Sequence, residues 1–213
     1  VDEWGVWAVP SNTVNAEIDQ KPWGIAPAIS EQIYTLEDAL LFAGMQMVIL
    51  RNADVIKIAC QSLLTNISAC IMTEKNGEYW LQTIYYPFHY FATYAKGTVL
   101  KTASTGPCYS CAEFDGVPYV DSLVVWNEED QELAIFAVNR SEEELQKAEV
   151  DLQDFEIQHV IESICMTAEN KKMTNMEQHD AVIPKKEKNV EIETGRCQIT
   201  LQPLSFNMVR LAV

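Results

Sequence analysis

The opening seven residues, Val1-Asp-Glu-Trp-Gly-Val-Trp7, alternate apolar and polar side chains and are rich in β-formers, which predicts a strand. Residues 8–29 carry Pro10, Pro22, Gly24 and Pro27 among several Asn and Ser residues, the composition of a long loop. Ser30 then fits a helix N-cap. From there Ile33, Leu36, Leu40, Ala43, Met47 and Leu50 recur at three- and four-residue steps, predicting an amphipathic helix that ends near Arg51-Asn52. Asp54–Cys60 is short, β-branched and mostly apolar, like a strand buried on both faces. A second loop runs through Asn66 and the Glu74-Lys-Asn-Gly77 turn. A second helix follows over Thr83–Lys96, with Pro87 in its first turn and Gly97 as its stop.

Strand, loop and helix, repeated, is the unit of a parallel α/β fold. A closed barrel takes about eight such units and about 250 residues, and a lone parallel pair leaves an apolar edge open. Beyond Gly97 the helical period disappears. Ser122–Trp126 and Glu132–Asn139 flank the turn signal Asn127-Glu-Glu-Asp130. Glu149–Leu152, His159–Met166, Val190–Glu193, Gln198–Leu201 and Asn207–Val213 also read as strands, and 167–189 as a mobile polar surface loop. The expected architecture is therefore α/β plus all-β. Residues 1–97 are the C-terminal portion of a (β/α)8 barrel and residues 98–213 a jelly-roll-like β-sandwich.

Composition narrows the partners. The net charge is −16, and residues 98–213 hold 10 Lys+Arg against 21 Asp+Glu, so no basic surface for nucleic acid is expected. No apolar run is long enough to span a bilayer, and the N-terminus lacks a signal peptide's basic and apolar regions. Cys108 and Cys111 have Cys-x-x-Cys spacing, but no second pair follows at zinc-finger distance and they sit in a Gly/Pro/Ser-rich loop. All six cysteines read as ordinary thiols. His89, His159 and His179 are scattered, so no metal site is expected.

Candidate chemistry lies at the first strand. A carboxylate near the C-terminal end of a parallel strand, followed by a long loop, is the usual place for a catalytic group in an α/β barrel. Glu3 has that position, and Trp4 and Trp7 offer indole faces against which sugar C–H groups pack. On spacing alone Glu3 also fits a surface acid, and the tryptophans fit core residues.

A resemblance favours the chemical reading. Asp2-Glu-Trp-Gly-Val-Trp7 resembles the strand-seven segment of family-51 α-L-arabinofuranosidases. Further strings resemble the same family, in order: Ile33-Tyr-Thr-Leu-Glu-Asp-Ala-Leu40, Arg51-Asn-Ala-Asp54, Ile71-Met-Thr-Glu74, Gln82-Thr-Ile-Tyr-Tyr-Pro-Phe88, Val138-Asn-Arg-Ser141 and Leu204-Ser-Phe-Asn207. The similarity covers essentially the whole chain. It implies that Glu3 is the nucleophile of a retaining glycoside hydrolase and that Trp7 lines the sugar site, with Trp23 shaping the pocket. Two positions depart from the pattern. Leu63 stands where the family has a sugar-contacting glutamine, with Gln61 nearby, and Gly5 stands where an asparagine is common.

The acid/base partner, on an earlier strand after an Asn-Glu pair in the family, is expected upstream of Val1, because Asn127-Glu128 falls in the sandwich turn. Glu37 and Asp38 read as helix acids. The resemblance further implies no cofactor, a homo-oligomer, a cytoplasmic location and an arabinose-containing oligosaccharide or polysaccharide as substrate. The missing N-terminal part of the barrel is then itself a partner. Two other readings compete: an endoglucanase-like member of the same family, and a non-catalytic carbohydrate-binding or assembly sandwich. In the second, Trp126 and Phe136 would have to be exposed, whereas their hairpin strands predict core packing.

Overall fold

The computed structural model describes residues 1–7, 25, 31–152 and 154–213. Helix α1 spans Leu36–Arg51. Its N-cap is Thr35, five residues after the predicted Ser30 cap, which lies outside the described residues. The start is set by a capping box: Asp38 N donates to Thr35 Oγ1 at 3.3 Å, and Thr35 N donates to Asp38 Oδ2 at 2.8 Å. Two first-turn amides that the cap cannot reach, Leu36 N and Glu37 N, donate to Met173 O and Lys171 O. Helix α2 spans Tyr85–Tyr94 with Pro87 in its first turn, inside the predicted range.

The two N-terminal apolar segments pair in parallel over a short stretch. Trp4 N donates to Cys60 O at 3.0 Å, Cys60 N to Val1 O at 3.1 Å and Ser62 N to Trp4 O at 2.9 Å. The second of them was expected to be buried on both faces, yet Val55 is 77% and Ile58 72% exposed. Among the described residues it is no regular strand: 52–55 form a turn, and one bridge, Gln61 to Trp4, pairs the segment, so its apolar residues stay in solvent. The loop expected after it contains instead a hairpin, β1 (Ile71–Thr73) with β2 (Tyr79–Leu81), closed over Glu74–Glu78.

Beyond α2 the strands are β3 (Thr98–Val99), β4 (Cys108–Tyr109), β5 (Val117–Pro118), β6 (Val120–Asn127), β7 (Glu132–Asn139), β8 (Gln146–Asp151) and β9 (His159–Met166). There follow β10 (Lys185–Lys186), β11 (Val190–Glu193), β12 (Arg196–Leu201) and β13 (Ser205–Ala212). The pairings are antiparallel and form one sheet in the order β10-β9-β13-β7-β6-β3 and a second in the order β11-β12-β8. The strands expected in residues 98–213 are all present, with β8 shifted toward the N-terminus. In the β6–β7 turn, Asn127 Oδ1 accepts from Glu129 N and Asp130 N, a structural use for this Asn-Glu pair.

The larger sheet is buried on both faces. On one side Val124, Leu133, Ile135, Ala137, Val209 and Leu211 pack against Cys197, Ile199 and Leu201 of the smaller sheet. On the other, Leu123, Val125, Phe136, Val138, Ile164, Phe206 and Met208 join Leu36, Phe42, Met47 and Phe91 of the helices in one cluster. Residues one apart on β7 enter opposite cores because a strand alternates its side chains. Phe91 stacks on Phe136 with ring centroids 4.2 Å apart, and Arg210 lies 4.3 Å from the Tyr94 ring centre while its guanidinium pairs with Glu132 at 2.6 Å.

Residues 167–189, expected as a mobile loop, form a clamp across the helical side. Thr174 bridges Thr35, and Val182 is fully buried. Asn175 Nδ2 donates to Leu81 O and Val182 O at 3.0 and 3.1 Å, while Asn175 Oδ1 accepts from Val182 N at 2.8 Å. Asn175 is the one polar side chain of the stretch that is buried among the described residues, while most of its Lys and Glu residues face solvent.

Helix α2 closes at Ala95 rather than at Gly97, whose role is different. Gly97 sits at φ +120°, and a Cβ there would meet Trp126 O at 2.1 Å. Gly97→Ala is expected to destabilise the protein by roughly 3 kcal/mol or more, read by denaturant unfolding. Asn175→Ala leaves buried backbone groups of Leu81 and Val182 without partners. A loss of about 2–4 kcal/mol is expected in the same measurement, with faster proteolytic cleavage between residues 167 and 189.

Candidate active site

Alternation along the first segment decides what faces where. Trp4 and Val6 are buried, Trp4 with its ring centroid 4.5 Å from that of Phe42 on α1. Glu3 and Trp7 therefore lie on the opposite side of the parallel pair, where both are exposed. The Ser62 hydroxyl donates to Glu3 Oε1 at 2.9 Å, and Trp7 Nε1 donates to Ser68 Oγ at 2.9 Å. The 61–68 segment thus holds both the carboxylate and the indole.

Behind these groups lies a buried polar layer. The Tyr34 hydroxyl donates to Val6 O at 2.9 Å, and burial pushes its pKa up to about 12, so it remains a neutral donor. Gln82 Nε2 donates to Gln32 O and Ala69 O, and Gln82 Oε1 accepts from Tyr34 N. Gln82 thereby joins the segment before α1 to the one behind the site. Burial raises the Cys70 thiol to about 12, and Cys165 and Cys197 to about 11, which keeps all three protonated and inert at neutral pH. Among the described residues, no group of three or more His, Cys, Asp or Glu side chains assembles into a metal-binding cluster.

The residues singled out from sequence are partly brought together. Glu3 and Trp7 share one face of the parallel pair. Leu63, 49% exposed, follows Ser62 at the rim. Trp23 lies outside the described residues. Gln61, considered as a replacement for a sugar-contacting glutamine, is turned to other work: its Nε2 donates to Ser68 O at 3.2 Å and its Oε1 accepts from the Cys70 thiol at 3.6 Å. Gly5 lies beneath Trp7, where a Cβ would come within 3.3 Å of the indole ring. Ser62, Ser68 and Tyr34 were not singled out in the sequence. The available signal was the Gln61-Ser62 step, which breaks the apolar run just as it reaches the register of Glu3.

Asp38 serves the helix cap, and Glu37 forms ion pairs with Lys171 and Lys172. A groove of about 1060 Å³ opens on the other side of α1, lined by Val1, Trp4, Leu41, Val48, Arg140 and Leu204 among others. Leu41 and Val48 are 55% and 53% exposed there. No helix among the described residues is long and apolar enough to cross a membrane.

Comparison with known proteins identifies the family. A family profile described as the alpha-L-arabinofuranosidase C-terminal domain matches residues 2–205. An intracellular exo-alpha-(1->5)-L-arabinofuranosidase of Halalkalibacterium halodurans is 42% identical over 99% of this chain and 41% of its own length. One from Bacillus subtilis is 39% identical over the same shares. The chain therefore spans about two fifths of the length of these relatives. Among solved structures, a family 51 alpha-L-arabinofuranosidase from Bifidobacterium longum superposes with a TM-score of 0.84 at 27% identity, over 98% of this chain and 40% of that one. The GH51 arabinofuranosidase of Xanthomonas axonopodis pv. citri shares the fold, with a TM-score of 0.83 at 23% identity. The chain belongs to the α-L-arabinofuranosidase C-terminal domain family of the family-51 glycoside hydrolases.

Proposed function

We propose that this chain supplies the nucleophile of a retaining exo-α-L-arabinofuranosidase. In this reading residues 1–97 are the last strand–helix units of its (β/α)8 barrel and residues 98–213 its β-sandwich. The observation that carries the reading is the juxtaposition at the first parallel segment. Glu3 stands at the strand's exposed face, held by Ser62, with the Trp7 indole anchored on the same face by Ser68. The H. halodurans and B. subtilis relatives are named for exo action on α-(1→5) linkages and as intracellular. The substrate is accordingly a terminal arabinofuranosyl residue on an α-(1→5)-linked oligosaccharide, hydrolysed in the cytoplasm by a homo-oligomer.

In the first step a Glu3 carboxylate oxygen bonds to the anomeric carbon as the glycosidic C–O bond breaks. The leaving oxygen takes a proton from the acid/base carboxyl. In the second, water attacks the same carbon and gives its proton to the acid/base, and the bond to Glu3 breaks, restoring the carboxylate. Retention requires the two carboxyl groups about 5–5.5 Å apart. The acid/base then belongs to the part of the barrel outside this chain, since Asn127-Glu128 is committed to the β6–β7 turn. Trp7 gives the furanose ring an apolar platform.

The groove beside α1 supports the same reading. Its apolar wall of Leu41 and Val48 matches a helix face that a preceding barrel unit covers. Trp4, which also lines it, has a buried Nε1 with no hydrogen-bond partner among the described residues.

Two measurements test the proposal. The full-length enzyme is expected to cleave a chromogenic α-L-arabinofuranoside with retention at the anomeric carbon. Glu3→Ala is expected to lower kcat by on the order of a thousandfold or more, and the isolated chain to show no turnover. Undiminished activity of the variant removes Glu3 from the role. Leu41→Asp in the full-length protein is expected to cost roughly 3 kcal/mol or more in denaturant unfolding, against within about 0.5 kcal/mol for Leu145→Asp in an exposed loop. Equal, small losses mean that nothing covers the groove.

A further inference from the structure

The backbone of Ser62 is fixed to the strand that carries Glu3, since Ser62 N donates to Trp4 O at 2.9 Å. The bridge between Trp4 and Gln61 sets the register. Ser62 and Glu3 therefore fall on the same face of the parallel pair as diagonal neighbours, and the hydroxyl reaches Glu3 Oε1 at 2.9 Å. Glu3 is exposed while Ser62 is half-buried. An exposed glutamate samples several rotamers, and a donor pinned to the neighbouring strand selects one of them.

The segment carrying this donor is held in a costly shape. Asn66 and Ser68 have φ of 65° and 45°, in the left-handed region that non-glycine residues avoid. The shape is kept by Gln61 Nε2 donating to Ser68 O, by Thr73 N donating to Asn66 Oδ1 at 2.8 Å and by Trp7 Nε1 donating to Ser68 Oγ. Strained backbone that its surroundings over-determine is a feature of sites that must hold a geometry.

Resting on the reading of Glu3 as nucleophile, we infer that Ser62 is a positioning residue whose hydroxyl holds the Glu3 carboxylate by Oε1 and presents Oε2 to the anomeric carbon. The hydroxyl keeps its own proton throughout. It makes no bond to the sugar and needs none, so its contribution falls on the bond-forming step rather than on binding.

The test uses the full-length enzyme with Ser62→Ala, Ser62→Thr and Glu3→Gln, assayed on a chromogenic α-L-arabinofuranoside, with thermal unfolding of each variant alongside. Ser62→Ala is expected to lower kcat on the order of tenfold with KM within about twofold of the parent. Ser62→Thr, which keeps the hydroxyl and suits a strand end, is expected to recover most of that loss. The inference is overturned if Ser62→Ala turns over like the parent, if its loss lies in KM, or if a folded Ser62→Thr enzyme recovers nothing. Glu3→Gln separates the two levels. Activity retained there sinks the nucleophile reading itself, whereas activity lost there together with an unchanged Ser62→Ala sinks only the role of Ser62.

Discussion

Strand β7 is the constraint on which the rest of the molecule depends. Its residues Leu133 to Asn139 are all buried, alternate ones facing the smaller sheet and the helices. A strand in that position has to be apolar on both sides, with no freedom to slip by one residue, because a slip exchanges its two faces. The register with β6 and β13 is correspondingly continuous from Glu132 to Asn139. The one polar side chain at its end, Asn139, is fully buried and donates from Nδ2 to the carbonyls of Glu144, Leu201 and Gln202, tying the strand end to two turns. The helices have no core of their own; they share one with the sheet.

That shared core has a consequence for the site. Trp4 enters it through Phe42, and Phe42 lies on the helix whose start is fixed by the 171–174 backbone and whose end is joined to Asp121 through Arg51. The clamp over 167–189 therefore orders the helix, the helix orders Trp4, and Trp4 sets the face on which Glu3 and Trp7 appear. The C-terminal sandwich, which carries none of the proposed reacting groups, holds the strand that does. Partly exposed ion pairs such as Arg51–Asp121 add little to stability themselves. Burial and backbone pairing supply the rigidity.

The exposed apolar surface has the same origin. Val55, Ile58, Leu41 and Val48 are side chains whose sequence pattern belongs to elements packed on both sides, and the described residues supply only one side. The relatives are more than twice as long as this chain, and in the proposed reading the open groove and the exposed carboxylate both face the part of the barrel that precedes it.

The sequence by itself determined the two helices and then a run of strands whose hairpin turn, at Asn127–Asp130, and whose central strands were legible from period-2 alternation and turn chemistry, whereas the two N-terminal strands it predicted meet only at the Trp4–Gln61 bridge. It also marked Glu3 and Trp7 as site candidates, through the resemblance to family-51 α-L-arabinofuranosidases more than through the strand-end position, which suits a surface acid and core tryptophans equally. The true start of α1 was written in the local Thr35-Leu-Glu-Asp38 capping box, which the expected Ser30 cap overlooked; only its backing by Met173 O and Lys171 O needed the tertiary structure. The sequence misrepresented 167–189 as mobile, because polarity in sequence does not distinguish a side chain facing water from one bonding buried backbone. Nor did it assign Ser62, Ser68 or Gln61. Their roles come from parallel pairing between segments some 57 residues apart, and only the tertiary structure sets which hydroxyl lands beside which carboxylate.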